Sequence, residues 1–318
     1  MVITMLASLP ALVSRLRLKQ LRLLIALDEQ GSLHKAADAV AISQPGATKA
    51  LNEIESAFGT RLFTRTSQGL EANDLGRCAI RYARLIHSDL AHLREEMLGI
   101  LQGQGGRLVV GVIMGAVPHL TRALSRLRAR QPELSVEIVE DTSARLLSLI
   151  DQGRVDLAIC RTSVSRRPDD YDCLSLHDEQ LKVVASPAHP LASTPGLSLA
   201  QLAAYSWVVF PANMPMRLVL ERAFSDAELE FPRYPLETAS TFATLMLLQE
   251  DPNLVALMPR ETAQSAARAG QLACLELAQV LRSEPYGVIS RRGSPLSAPA
   301  RLLLEELRDE PAEVLSGG

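Results

Sequence analysis

Apolar positions in the first hundred residues recur at helical spacing. Leu16 to Gln30 predicts a helix with Leu21, Leu24, Ile25 and Leu27 on one face, stopped by Gly31. Ser32 then caps a second helix whose apolar residues Leu33, Ala36, Ala37 and Val40 are mostly small, so that two helices can approach closely. After a short turn at Ala41 and Ile42, Ser43 stands as the next N-cap with Pro45 in the first turn. This third helix runs to Phe58 with Ala47, Leu51, Ile54 and Phe58 inward, and Gly59 ends it. Three short helices with a tight turn between the second and third make a helix-turn-helix. The stretch Arg61 to Ala72 holds two short runs around Ser67-Gln68-Gly69, which reads as a β-hairpin wing pinned by Leu62 and Phe63.

From Asn73 onward Ala79, Ala83, Ile86, Leu90, Leu93, Met97 and Ile100 follow one another at alternating steps of four and three. That 3.5-residue period predicts a coiled-coil seam, most simply with the same helix of a second copy; packing on its own domain is the alternative. Gly103-Gln104-Gly105-Gly106 then breaks the pattern and marks a domain boundary. Beyond it short β-branched runs alternate with amphipathic segments. Arg107–Val112, Leu134–Glu140 and Val155–Cys160 read as strands around helices at Pro118–Arg130 and Ser143–Gln152. After His177 the pattern restarts with strands at Gln180–Ser186, Ser206–Phe210, Leu236–Ser240 and Leu254–Met258 and a helix from Met214. Pro285–Ser290 and a helix at Ala298–Arg308 close the chain. The expected fold is α/β with an all-α winged helix-turn-helix domain, the larger part forming two Rossmann-like α/β lobes. The expected limits are 15–72 for the winged domain, 73–102 for the linker helix, 103–106 for a hinge and 107–310 for the rest. Lobe I covers about 107–176 and 282–310, and lobe II about 177–281.

Composition narrows this picture. The chain has 318 residues, 47% of them apolar, enough for about two cores at roughly 150 residues per domain. No uncharged apolar run reaches the ~18 residues of a membrane helix. The stretch Met1 to Ser14 is interrupted by Pro10 and lacks a basic leader, so the expectation is a cytoplasmic protein without a membrane partner. Cys78, Cys160, Cys173 and Cys274 are scattered and the six histidines show no metal-ligand spacing, so no cofactor or metal is expected. The net charge of −3 divides into +2 for residues 1–102 and −5 for the remainder. So small a basic excess does not identify a nucleic-acid binder by itself.

The third helix carries the stronger signal. Ser43, Gln44 and Pro45 in its first turn, with Thr48 and Lys49 one turn on, put short polar groups at a helix N-terminus. Such an end suits the major groove: free N–H groups meet phosphate, Gln44 can pair bidentately with adenine, Thr48 can touch a thymine methyl, and Lys49 can reach guanine or phosphate. Lys35, and Arg61 and Arg65 on the wing, are candidate backbone or minor-groove contacts, the alternative being solvated surface charge.

These residues carry a family resemblance. Gly31-Ser32-Leu33, Ala36-Ala37, Ser43-Gln44-Pro45, Leu51, Ile54-Glu55, Phe58-Gly59, Leu62-Phe63, Arg65, Leu70 and Gly76 resemble the DNA-binding domain of LysR-type transcriptional regulators. Gly46, Thr48 and Asn73 depart from the usual Ala, Ser and Thr. The second half resembles the family's effector domain, of periplasmic-binding-protein-like fold, through Gly153-x-Val155-Asp156-Leu157-Ala158-Ile159, His189-Pro190-Leu191 and Met258-Pro259. The resemblance implies a ligand-responsive regulator that binds an inverted repeat in double-stranded DNA as a homodimer or homotetramer. It also leaves RNA polymerase open as a partner. No nucleophile with its base, metal cluster or phosphate loop is readable, so no enzyme activity is expected. Ala83, Ile86, Leu90, Leu93 and Met97 are the expected dimerisation residues.

Parallel strands bind ligands at their carboxyl ends, so the loops after the first three strands of the second half are expected to meet at a cleft. The cleft candidates are Met114, Gly115, Ala116, Thr142, Ser143, Arg161, Asn213, Arg217, Thr238 and Ser240. Arg161 ends a buried strand, where a guanidinium needs an anion; a carboxylate or phosphate ligand and an internal pair with Asp141 or Asp156 are the two readings. The apolar Met114 to Val117 wall points to a small carboxylate with an apolar or aromatic body, with a sugar second. Two other classes stay open. Cys160 beside Arg161 admits a redox or small-molecule sensor without turnover, and residues 107–310 alone would suit a solute-binding protein.

Overall fold

The structure, a computed structural model, describes residues 6–66, 69–102, 106–212 and 214–308. The chain divides into two compact units. The first is Met1–Gly106 with Asp151–Arg154, and the second Arg107–Ile150 with Val155–Gly318.

The first unit contains α1 (Leu9–Arg15), α2 (Leu18–Gln30), α3 (Leu33–Ala39), α4 (Gln44–Phe58), β1 (Phe63–Thr66), β2 (Gly69–Ala72) and α5 (Asp74–Gln102). Helix α1 is an addition to the sequence reading. Pro10 falls in its first turn, where no intrahelical N–H is required, and so starts the helix instead of interrupting it. Leu21, Leu24, Leu27, Ala36, Ala37, Ala47, Leu51 and Ile54 form the core, closed by Leu62 and Phe63 from the wing. Ser43 caps α4 by accepting the Gly46 N–H at 3.2 Å, whereas Ser32 stands at the cap position of α3 without a side-chain cap bond. The turn between α3 and α4 is closed by Ala41 at φ 57°, a left-handed conformation that costs a non-glycine residue about 1 kcal/mol.

Two close approaches position the wing. Leu70 N–H donates to Gly31 O at 3.0 Å, and a side chain at Gly69 would strike that same Gly31 carbonyl. The Glu55 carboxylate, buried at the end of α4, accepts the Leu62 N–H at 2.8 Å and the Phe63 N–H at 3.3 Å. Asn73 opens α5: its Oδ1 accepts the Gly76 N–H and its Nδ2 donates to Arg61 O, both at 2.8 Å. Gly76 is needed here because a Cβ would collide with Leu62 O.

The second unit is built on a nine-stranded sheet in the order β4-β3-β5-β11-β6-β9-β7-β8, with β10 beside β6. Its first part comprises β3 (Arg107–Val112), α6 (Val117–Arg130), β4 (Ser135–Glu140), α7 (Ser143–Asp151) and β5 (Leu157–Cys160), all three strands parallel. Then β6 (Tyr171–Ala185) runs into a second part of α8 (Leu199–Leu202), β7 (Ser206–Val209), α9 (Pro215–Asp226), β8 (Leu236–Glu237), α10 (Thr241–Glu250), β9 (Leu254–Pro259), α11 (Arg260–Arg268) and β10 (Ala273–Leu275). Strand β11 (Leu281–Arg291) returns the chain, and α12 (Ala298–Arg308) packs beside α6.

Each lobe has its own core. One gathers Leu108, Val110, Leu146, Ile159 and Leu303; the other gathers Val183, Trp207, Phe224, Val255 and Leu257. Strands β6 and β11, paired antiparallel, pass through both. The sequence reading began these strands at Gln180 and Pro285; both start earlier and cross the expected lobe limits unbroken. Their pairing slips between Ser283 and Gly287, a bulge that contains Pro285, whose missing N–H is tolerated there.

Candidate functional site

In the first unit the exposed face of α4 carries the candidate base contacts. Gln44, Pro45, Thr48 and Lys49 are all exposed, on the side opposite buried Ala47, Leu51 and Ile54. Thr48 Oγ1 donates to Gln44 O at 3.0 Å, so its hydroxyl is spent on its own helix and what it can offer a partner is its methyl group. Lys35 and Arg65 are exposed too, and among the described residues neither they nor Lys49 has an ion-pair partner. Arg61 differs: it lies 3.4 Å from the Glu55 carboxylate, with its side chain 81% exposed, so it is tethered but accessible.

The seam on α5 divides into two. Ala83 is fully buried and Ala79 packs against the unit's own core, where small side chains let α5 lie close to α2. Ala83 is therefore an internal packing residue, a correction to its expected place in a dimer contact. Ile86, Leu90, Leu93 and Met97 are 38–56% exposed. The Ile100 side chain lies outside what the structure describes.

In the second unit, Arg161 follows the end of β5 and is 6% exposed. Its backbone N–H donates to Ser143 Oγ at 3.2 Å, which joins the start of α7 to the end of β5. Its Nε donates to Glu284 O at 3.0 Å, and its Nη2 pairs with Glu179 Oε2 from β6. The Tyr286 ring lies 5.9 Å from the guanidinium carbon. Arg161 does make an internal pair, but with neither acid considered from sequence. Asp141 Oδ1 accepts the neighbouring Thr142 N–H, and Asp156 Oδ2 accepts the Val109 N–H.

Glu179 sits at the crossover of the lobes. Burial raises its pKa above the ordinary carboxylate value, while Arg161 and the nearby Ser283 hydroxyl oppose the rise. Ser283 pairs with Glu179 across β11 and β6, yet Ser283 Oγ and Glu179 Oε1 are both buried without a well-formed hydrogen bond. Gly115 is pressed against the same oxygen, since a Cβ there would collide with Glu179 Oε1 and touch Pro259. Met114 packs into the core of the second lobe although it follows a strand of the first. Arg122 on α6 pairs with Glu261 on α11 at 3.0 Å, a second bond between the lobes.

The structure thus brings Gly115, Ser143 and Arg161 to one place and adds Glu179, Ser283 and Glu284. Among the described residues, no hydrogen bond or ion pair joins Thr142, Arg217, Thr238 or Ser240 to this group. Arg217 is held within the second lobe by Glu221 at 2.6 Å, Phe210 O at 3.1 Å and the Phe231 ring at 4.5 Å. Thr142 is exposed and caps α7, with its Oγ1 accepting the Arg145 N–H. Thr238 Oγ1 accepts the Ser240 N–H and Ser240 caps α10. Ala116 is buried beneath the wall, and Asn213 lies outside the described residues.

Cys160 is no activated thiol. Burial pushes it up to about 12, Cys173 adds to the rise, and Arg161 only partly opposes it. Strand β11 lies between the two cysteines, pairing with Cys160 on one side and Cys173 on the other. Among the described residues no group of acids, histidines and cysteines could hold a metal, and no helix is long and apolar enough to cross a membrane.

Comparison with known proteins agrees with this architecture. Residues 18–77 match the bacterial regulatory helix-turn-helix protein family of the lysR type, and residues 101–312 match the LysR substrate binding domain. The HTH-type transcriptional regulator GbpR of Azospirillum brasilense is 32% identical over 93% of this chain and 87% of its own length. The SDS degradation transcriptional activation protein of a Pseudomonas strain is 28% identical over 93% of this chain and 96% of its own. Among solved structures, full-length CbnR complexed with its target DNA shares the fold, with TM-score 0.62, 20% identity and coverage of 92% of this chain and 99% of that one. With both of its domains matched, and with a relative above 30% identity along most of its length, this chain belongs to the LysR-type transcriptional regulators.

Proposed function

We propose that this regulator reads an inverted-repeat operator with the amino end of α4 and senses a small carboxylate at the junction of its two lobes. The observation that carries the effector reading is the buried Arg161–Glu179 pair, with Gly115 against it. An internal carboxylate there already satisfies a guanidinium suited to bidentate anion binding. A carboxylate effector competes with Glu179 for Arg161, the cation that opposes the burial-driven rise in the Glu179 pKa. Because β6 and β11 join the lobes at this point, exchanging one carboxylate for the other changes how the lobes are held together. Only a ligand with different affinity for the two arrangements can shift their balance.

Gln44 pairs with a base, Thr48 offers its methyl, and Lys49, Lys35, Arg61 and Arg65 hold phosphates. The exposed seam Ile86, Leu90, Leu93 and Met97 pairs with its copy, so that two α4 helices address two half-sites.

The DNA arm is tested by fluorescence anisotropy on an operator selected from random duplexes, beside a shuffled duplex, across a salt series. Gln44→Ala is expected to lose discrimination between the two; equal loss on both rejects base reading by Gln44. The effector arm is tested by calorimetry with aromatic carboxylates and hexoses on the wild type and Glu179→Gln. A carboxylate that binds the variant more tightly supports competition for Arg161. A hexose that binds the wild type and is lost in the variant makes Glu179 a ligand of a neutral sugar instead.

A further inference from the structure

We propose that α1 is an accessory DNA-clamping arm, with Arg15 and Arg17 gripping the phosphate backbone that borders the groove entered by α4. The inference rests on the reading of α4 as the DNA-facing helix and extends it to a segment outside the family's helix-turn-helix match, which begins at residue 18.

Helix α1 lies along α4. At one end Ala7 N–H donates to Phe58 O at 3.3 Å, which puts the start of the segment beside the C-terminal end of α4. Arg15 and Arg17 line an open concavity of about 1040 Å³ that they share with α4 from Pro45 to Ala57, including Thr48, Lys49 and Asn52. These α4 residues point away from buried Ala47, Leu51 and Ile54, so the concavity opens on the reading face itself. In the proposed complex, a duplex whose major groove receives Thr48 and Lys49 lays one of its sugar-phosphate strands into this concavity, against α1.

The charges suit that occupant. Arg15, Arg17 and Lys49 are exposed cations around the concavity, and none has an ion-pair partner among the described residues. Glu53 is the acidic group on the wall, and its carboxylate accepts the Gln20 Nε2 at 3.0 Å. Gln20 Oε1 in turn accepts the Arg17 N–H at 2.9 Å, so one side chain ties the backbone of the arm to α4. Helix α1 has no fully buried residue: Ala11 and Leu12 are partly covered and the adjoining Leu16 packs against the core, while Leu9 and Val13 remain exposed.

The test uses the full-length protein and a labelled random-sequence duplex, because phosphate contacts do not depend on sequence. Binding is read as the slope of log K against log salt, which changes by about 0.9 for each phosphate contact. Arg15→Gln with Arg17→Gln is expected to make the slope shallower by about 1.8 and to weaken binding on random and selected duplexes alike. Arg15→Lys with Arg17→Lys is expected to restore the slope, since the charge returns. Arg268→Gln, an exposed charge in the second unit, controls for net charge. A glutamine double variant with the wild-type slope, or one no shallower than the Arg268→Gln control, overturns the arm. The α4 reading fails separately, through Gln44→Ala leaving operator discrimination intact.

Discussion

Gly115 and Glu179 meet with no space for a side chain between them: the backbone of a loop in one lobe lies against the carboxylate of a strand shared by both. A Cβ at position 115 would have to displace Glu179 Oε1 or the loop itself. Gly115→Ala is expected to destabilise the second unit by about 1–3 kcal/mol, as overpacked sites do, and to loosen the Arg161–Glu179 pair. Urea unfolding of the full-length protein measures the first effect. A midpoint equal to wild type would mean that the loop yields without cost.

The pair itself obeys an asymmetry of buried charge. Arg161→Met strands Glu179 in a buried site and is expected to cost about 3–5 kcal/mol, whereas Arg161→Met with Glu179→Met is expected to recover most of that loss. A double variant as unstable as the single one would show that the Arg161 side chain acts through its Nε bond to Glu284 O more than through Glu179.

Two carboxylates of the second unit shift in opposite directions and so predict opposite pH slopes. Glu179 is raised by burial, so the stability linked to it is present below 4.5 and lost as pH rises through its raised value. Glu306 is lowered, chiefly by its hydrogen bond from Arg130 at 2.7 Å with further help from Arg126. Its contribution is present above 4.5 and lost as pH falls through its lowered value. Compared with wild type, Glu179→Gln should therefore gain stability as pH rises, and Glu306→Gln should lose its disadvantage in acid. Parallel unfolding curves at every pH for either variant would reject the linkage of that residue.

The first unit was legible because its signals are local. Ser43, Pro45, Gly31 and Gly59 punctuate helices within a few residues of where they act, and Leu62 and Phe63 follow directly from the wing pattern. The junction of the lobes was legible only in part. Arg161 stood out as a cation ending an apolar strand, but its partner lies on β6, whose first half alternates weakly through Asp172, Ser175 and His177 and gave no strand signal. Asp141 and Asp156 bind backbone N–H groups instead. Helices α10 and α11 were also missed, α10 because its residues are apolar on most sides and show no face. Pro10 and Pro285 misled for one reason: each sits where its missing N–H does no harm.

At the turn between α3 and α4, Ala41 holds φ 57° where glycine would be unstrained. Ala41→Gly is expected to stabilise the first unit by about 0.5–1 kcal/mol, the relief of the left-handed strain exceeding the added entropy of the unfolded chain. Thermal unfolding followed by circular dichroism measures it, and a lower midpoint would show that the Ala41 methyl contributes packing worth more than the strain.

The last prediction concerns the half of α5 that its own unit leaves uncovered. Ile86, Leu90, Leu93 and Met97 continue the spacing of Ala79 and Ala83, but only the two alanines are used internally, and the exposed four keep the 3.5-residue period that a partner helix requires. An isolated stripe of this kind in water gains by pairing, since each of these half-exposed side chains contributes about 1 kcal/mol when withdrawn from solvent, roughly half the value of full burial. Leu90 lies in the middle of the stripe, so a charge there meets either a partner's apolar side chain or its own copy. Leu90→Asp is expected to halve the mass in light scattering while leaving helix content unchanged, and Leu90→Met to keep the wild-type mass. Loss of half-site cooperativity on the selected operator should accompany the smaller mass. A Leu90→Asp protein of unchanged mass would remove the α5 seam as the dimer contact and move it to another surface.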